Sequence, residues 1–316
     1  MNSGDLTKLI KAEALNLGFS ACGVAPAEPV DSKERENFNQ WVGNGFQADM
    51  SYLERNQDKR YNPSLLVEGA KSIISVALNY YPQKILNKEQ LQFAYYAYGK
   101  DYHEIVKNKL TRLLEYIRTI DPQSSGRVFC DTAPILEKYW AWKSGLGWVG
   151  KNTLLILPKA GSFFFLGEII LNSELGYDSP KKSHCGSCKR CLEACPTHAL
   201  TSDGNLNANL CLSYQTIENH KELSASVKQA MKRTIYGCDE CQKACPWNSR
   251  FATSNNEPDL QPNEEFFNNT EQDWQNLSVE SYRRIFKRSI SLKHLSFYFT
   301  LHPSSPFVHR GFRMNV

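Results

Sequence analysis

Between Cys185 and Cys195 the chain carries four cysteines spaced C-x2-C-x2-C-x3-C, and Pro196 follows. A second run, Cys238, Cys241 and Cys245, repeats the C-x2-C-x3-C ending and is again followed by a proline, Pro246. No other feature constrains the fold as strongly. Two-residue gaps let successive thiolates wrap one cube-shaped iron–sulfur cluster, and the fourth cysteine of such a run usually ligates a second cluster. The second run is one cysteine short, and Cys211 is available to complete it. The pattern assigns Cys185, Cys188, Cys191 and Cys245 to one [4Fe–4S] cluster, and Cys195, Cys211, Cys238 and Cys241 to the other. The competing chemistry is a pair of zinc sites of C-x2-C type. Two C-x2-C-x3-C-P endings favour the ferredoxin arrangement over it.

Eight of the ten cysteines fall between Cys185 and Cys245, which argues against a disulfide framework spread along the chain. Cys22 and Cys130 lie outside and read as core thiols. Asp5 and Glu13 interrupt any apolar run at the start, so no signal-peptide core is expected there. No stretch approaches the ~18 apolar residues of a membrane span. The expectation is a cytoplasmic protein with no membrane partner. With 316 residues, 41% of them hydrophobic, the chain can bury a sizeable core, and its net charge of +4 says little about partners.

Ahead of the cysteines the pattern alternates between helix and strand. Leu6, Leu9, Ile10 and Leu17 follow helical spacing over 5–17, with Gly18 as a stop. Ala21 to Ala25 and Ser72 to Leu78 read as strands. Asp101 and Glu104 make a capping-box-like start for a helix whose apolar face is Ile105, Val106, Leu110, Leu113, Leu114 and Ile117. Arg127 to Cys130 reads as a strand ending at Asp131. Pro134 suits the first turn of a following helix that Gly145 ends. Thr153 to Leu157 and Ser162 to Leu171 read as strands joined by a turn at Pro158–Gly161. The expected class is α+β, with a mixed α/β domain over residues 1–175, a ferredoxin-like module over 176–250 and a short helical extension over 251–316. A ferredoxin needs no such leading domain, so a second cofactor or a substrate site is expected within it. The segment Gly145 to Asn152 nearly fits a phosphate-binding P-loop, but Asn152 lacks the hydroxyl that would reach magnesium. The order of helix and strand around it is also reversed.

The segment VFCDTAPILEKYWAWKSGLGWVGKNTLLI at Val128 to Ile156, followed by the two cysteine runs, resembles the epoxyqueuosine reductase family. So do ADMSYL at Ala48 to Leu53, Gly99-Lys-Asp-Tyr-His103, Tyr236 to Gln242, and Cys245-Pro-Trp-Asn248. The resemblance runs from about residue 5 to 288 and rests on a combination of motifs. It implies an N-terminal cobalamin-binding domain similar to that of reductive dehalogenases, followed by two [4Fe–4S] clusters. It also implies reduction of epoxyqueuosine to queuosine in the tRNA anticodon loop. Asp131 then takes the role of proton donor. As a neutral acid it would need a pKa raised by desolvation; its competing role is that of a helix N-terminal residue. Asp101 and His103 begin a D-x-H-x-x-G cobalamin motif, but Val106 stands in place of its glycine. The expectation is a cobalamin with no histidine below the cobalt. Candidates for lining the corrin are Arg60, Tyr98, Tyr102, Lys151, Asn152, Thr153, Ser213 and Gln215.

Residues 251–280 contain seven acidic and no basic residues, and 281–316 contain seven basic and no acidic ones. Such a switch suggests a basic face, with Arg283, Arg284, Lys287 and Arg288 as candidate tRNA contacts; a merely solvated surface is the alternative. Lys181, Lys182, Lys189 and Arg190 beside the first cysteine run could add to it. Many family members continue into helical repeats that hold tRNA, whereas this chain stops at Val316. Residues 289–308 read as an insertion ahead of the RGFRMNV ending. Two other classes compete: a dehalogenase-like corrinoid enzyme acting on a small molecule, and a non-enzymatic electron-transfer protein. Corrin binding would exclude the second, and tRNA binding would disfavour the first. A monomer served by an electron donor that the sequence does not identify completes the expectation.

Overall fold

The computed structural model describes residues 2–289 apart from residue 263. Its centre is a four-stranded sheet built from β1 (Ala21–Pro26), β2 (Ser72–Asn79), β3 (Gly126–Phe129) and β4 (Phe164–Leu171). The spatial order is β1-β2-β4-β3, and every pairing is antiparallel. Side chains alternate across a strand, and here both faces are apolar. Val24, Ile74, Val76, Leu78, Ile169 and Leu171 pack against helices Ser3–Asn16 and Tyr102–Ile120. Ala25, Ile73, Phe129 and Ile170 face the other way, onto Tyr139 and Trp140 of helix Glu137–Lys143. A sheet covered on both faces reads as continuous apolar runs, which is how SIISVAL on β2 reads.

The expected helices over 5–17 and after Asp101 are present, and so are all four strands of this sheet. Three local details differ. The helix ending at Gly145 (φ +73°) starts at Glu137, because residues 131–134 form bends that shape a site instead. Leu155–Ile156 pairs with Trp148–Val149 in a small hairpin, so Thr153 belongs to that hairpin's turn. Asp101 caps its helix by accepting from the His103 backbone N–H, while Glu104 turns outward to Arg288 at 3.1 Å.

The cysteine region is fastened to this sheet. Gln92–Phe93 pairs in parallel with Thr234–Tyr236, far along the chain. Gln242 and Asn248, on the helices flanking Cys245, both donate to Ser162 Oγ, at 3.2 and 2.9 Å. Asn248 Oδ1 accepts from Ser162 N at 2.6 Å, and Gly161 (φ +90°) leaves room for it. Phe266, Trp274, Tyr282 and Phe286, from the last described helices, join the same core as Phe93, Tyr95 and Tyr98. The Asp101 N–H donates to the Arg288 carbonyl at 2.6 Å, so the end of the described chain meets the start of helix Tyr102–Ile120. Among the described residues, no helix is long and apolar enough to cross a membrane. The expected insertion at 289–308, apart from its first residue, lies outside the described residues, as do Lys293, Arg310 and Arg313.

Candidate active site

Strand β3 ends at Phe129, and the chain then turns sharply. Thr132 N donates to Cys130 O at 2.7 Å, closing a three-residue turn around Asp131, whose φ is +58°. Aspartate tolerates this left-handed conformation better than most residues. The Asp131 N–H donates to Glu137 Oε1. Its side chain, 55% exposed, meets the first turn of helix Tyr102–Ile120, where Oδ2 accepts from Tyr102 Oη at 2.9 Å and lies 3.0 Å from His103 Nε2. On its other side His103 Nδ1 is 2.7 Å from Asp101 Oδ1. The imidazole is therefore clamped between two carboxylates, with both nitrogens engaged. An imidazole donating from both nitrogens is the protonated one. Tyr102 stacks on His103 at 4.1 Å and on Phe165 at 4.2 Å, which fixes the ring.

Electrostatics follow from these contacts. Hydrogen bonding from His103 holds the Asp131 carboxyl below its ordinary pKa, against the opposing effect of burial. This overturns the expectation of a raised value. Desolvation is the weaker influence because two donors converge on one oxygen. Burial alone would lower the His103 pKa, but its bonds to Asp131 and Asp101 leave it raised. Both shifts favour the charged forms, imidazolium on His103 and carboxylate on Asp131.

Asp131 opens into a cavity of about 1080 Å³, lined among others by Tyr52, Arg60, Glu137, Lys138 and Thr153. That exceeds the roughly 300–1,000 Å³ of ordinary small-molecule sites. Arg60 is buried with Nε unpartnered, its guanidinium 5.4 Å from the centre of the Phe38 ring. Thr153 adopts φ +62°, a strained geometry for a β-branched residue. Asn152, beside it, is buried with Nδ2 unpartnered. Lys151 Nζ donates to the Gly186 and Cys188 carbonyls, at 2.7 and 3.1 Å, tying the hairpin turn to the first cysteine loop. Of the corrin candidates, Arg60 and Thr153 line this cavity. Tyr98 lies in the aromatic core against Phe266. Gln215 is engaged with Asn209 O and Asn219, at 2.6 and 2.7 Å, and Ser213 sits on helix Leu212–Ile217, just after Cys211.

The cysteines gather in two groups. Cys245 feels the charges of Cys185 and Cys188, and Cys191 those of Cys245 and Cys185. Cys241 feels Cys238, Cys211 and Cys195. Burial pushes the Cys238 thiol up to about 12. Thiols so desolvated ionise only when a cation holds them. Backbone N–H groups point at several sulfurs, among them Ala199 N on Cys195 Sγ at 3.2 Å. Among the described residues, no three His, Cys, Asp or Glu side chains converge closely enough for a single metal ion. Cys130 is buried and Cys22 is partly buried against the core.

A family model described as "Epoxyqueuosine reductase QueG, DUF1730" matches residues 60–132. One described as "4Fe-4S double cluster binding domain" matches residues 184–248. The fold and site are thus those of an iron–sulfur oxidoreductase. The chain is 41% identical over 281 residues to the epoxyqueuosine reductase of Cellulophaga algicola, covering 89% of this chain and 91% of that one. It is 42% identical over 285 residues to that of Leadbetterella byssophila, covering 90% and 93%. The structure of epoxyqueuosine reductase from Streptococcus thermophilus matches with a TM-score of 0.81 at 30% identity, over 93% of this chain and 79% of that one. A crystal structure of epoxyqueuosine reductase with a tRNA-Tyr epoxyqueuosine-modified tRNA stem loop matches at 0.83 and 27% identity, over 92% and 77%. The chain belongs to the epoxyqueuosine reductase family.

The Asp131–His103 contact escaped the sequence reading. The two residues are 28 apart in the chain, and no local periodicity links a strand end to a helix start. The near-motif at Asp101–His103 was the available signal, read there for what it lacked.

Proposed function

We propose that this chain reduces epoxyqueuosine to queuosine at the wobble position of tRNA, using cobalamin and electrons from two [4Fe–4S] clusters. The observation that carries the reading is the Asp131–His103 contact at the mouth of an oversized cavity, in a chain whose other half carries a double-cluster region. Conversion of an epoxide to an alkene and water consumes two electrons and two protons. Cys185, Cys188, Cys191 and Cys245 hold one cluster, and Cys195, Cys211, Cys238 and Cys241 the other; together they supply electrons singly. Cobalamin, when bound, supplies the low-valent cobalt that reduces the epoxide carbon.

The large cavity, the unpartnered Arg60 and Asn152 atoms and the strained Thr153 turn fit a bulky ligand rich in amide acceptors. Arg60 and Thr153 face that ligand, flanked by Tyr102, Lys151 and Asn152. His103, with both ring nitrogens committed to carboxylates, would not be free to act as a metal ligand. Its remaining task is to hold a proton at Nε2 against Asp131 Oδ2. When the epoxide oxygen develops charge, the Asp131–His103 pair delivers that proton to it, the second proton of the departing water comes from solvent, and Tyr102 keeps the carboxylate aimed. Exposed Arg283, Arg284, Lys287 and Arg288, with Lys181, Lys182, Lys189 and Arg190 around the first cysteine loop, supply phosphate contacts. Arg284 already pairs with Glu265 at 2.6 Å, an exposed bridge cheap to exchange for a phosphate.

The test is anaerobic turnover. Protein with reconstituted clusters is given cobalamin, a chemical reductant and tRNA containing epoxyqueuosine, and the digested tRNA is searched for queuosine by mass. Cobalamin-dependent queuosine is expected. No product, with clusters and corrin demonstrably bound, would refute the substrate.

A further inference from the structure

One side chain of the central sheet has no part in the chemistry above. Glu168 lies on β4, opposite Ser75 of β2 and Phe129 of β3. It is fully buried, and neither carboxyl oxygen has a hydrogen-bond partner. An ionised carboxylate placed there would lose its hydration and gain no contact in return, so the group keeps its proton. Burial raises its pKa most, and the charges of Glu137 and Asp131 add to the effect.

Glu137 is the carboxyl between Glu168 and the cavity. It opens helix Glu137–Lys143, which packs on β2 and β4. Burial, then the Asp131 charge, lifts its pKa to about 7. Its Oε1 accepts the backbone N–H of Asp131, the residue forced to positive φ. A left-handed backbone is strained for a residue with a side chain, and this bond offsets part of that strain. The other groups facing the pair are His103 and Lys107 from helix Tyr102–Ile120, the Cys130 thiol, and Lys138 with Glu34 behind it. Lys138 directs its ammonium to Thr153 O at 2.8 Å.

We propose that half-buried Glu137 and fully buried Glu168 form an acid pair behind Asp131 whose proton sits on Glu168, and in which Glu137 is the positioning residue that fixes the Asp131 turn. The role assigned to the turn rests on the reading of Asp131 given above; the acid pair does not. With Glu168 neutral, the three carboxyls bring fewer than three negative charges to the corner. Glu137 can then face the cavity and grip the turn without repelling Asp131 from it. No proton transfer to substrate is required of the pair.

Infrared spectroscopy of the cluster-loaded protein at pH 7 tests the pair without substrate or corrin. A carbonyl band of a buried protonated carboxyl is expected, lost in Glu168→Gln. A wild-type spectrum without a band that this substitution removes overturns the proposal. Hydrogen exchange tests the positioning role. Segment 130–134 is expected to exchange at least tenfold faster in Glu137→Met, which lacks an acceptor, than in Glu137→Gln, which keeps one. In turnover, kcat should follow the same order, and Glu137→Gln should lose any limb of the pH profile near neutrality. Equal exchange in the Met and Gln variants overturns the positioning role. If the wild type makes no queuosine while the band and the exchange difference persist, the substrate reading fails and the acid pair stands.

Discussion

Replacing Asp131 with asparagine isolates the charge at the centre of the site. The turn should survive, because the Asp131 N–H bond to Glu137 and the Thr132–Cys130 closure both use backbone atoms of the turn. Asparagine Oδ1 can still accept at the 2.9 and 3.0 Å positions of Tyr102 and His103. What is lost is the negative charge that keeps the proton on His103. General acid–base groups contribute typically ~10²–10⁴-fold, so kcat should fall by about 2.7–5.5 kcal/mol of barrier. Iron content and corrin binding should be unchanged. A second signature lies in stability. Asp131 is depressed, so its contribution is present above the unfolded value of about 3.9 and lost as pH falls. His103 is raised, so its contribution is present below about 6.5 and lost as pH rises through its folded value. The stability gap between wild type and Asp131→Asn should thus be widest between about pH 4 and 6.5. Half-exposed as it is, the pair should contribute no more than about 1 kcal/mol. Anaerobic single-turnover assays and thermal melts across pH read both effects. Turnover within tenfold of wild type, with both clusters and corrin intact, would remove Asp131 from the acid–base role.

Other substitutions probe the remaining parts. Cys211→Ala should lower iron content toward one cluster, and full occupancy of both would break the ligand grouping. Gly161→Ala places a Cβ 2.1 Å from Asn248 Oδ1 at φ +90°; a loss of roughly 2–4 kcal/mol is expected from overpacking and left-handed strain combined, read as a lower melting temperature. Lys287→Ala should reduce the slope of log tRNA affinity against log salt by about one phosphate contact, roughly 0.7–0.9. An unchanged slope would place the tRNA backbone elsewhere.

The double-cluster region was legible because a ferredoxin run encodes its geometry in gaps of two and three residues. Helix Tyr102–Ile120 was legible from its apolar stripe, and β2 from an unbroken apolar run. What the sequence hid depends on distant partners. The Asp131 pKa is lowered chiefly by a histidine brought in from another element, a partner that the proton-donor role implied by the resemblance did not reveal. Glu168 reads as a polar break in strand FFLGEIIL, and only the covering helix makes it a buried acid. The expected partner of Leu155–Ile156 was the neighbouring strand, whereas the hairpin folds back on Trp148–Val149, because the turn closed by the Gly150 N–H donating to Leu154 O reverses the chain first.

The pairing of Gln92–Phe93 with Thr234–Tyr236 bears on how the molecule is made. As grouped above, one cysteine set is incomplete until the chain has been synthesised past Cys241, and the other waits for Cys245. A nascent chain with the sheet strands already emerged would still present open thiols to oxygen and to stray metals. Contacts this distant in sequence form late and slowly. On the cluster reading proposed above, insertion has to follow the meeting of these distant segments, and the yield of intact protein is expected to track iron and sulfide supply during synthesis.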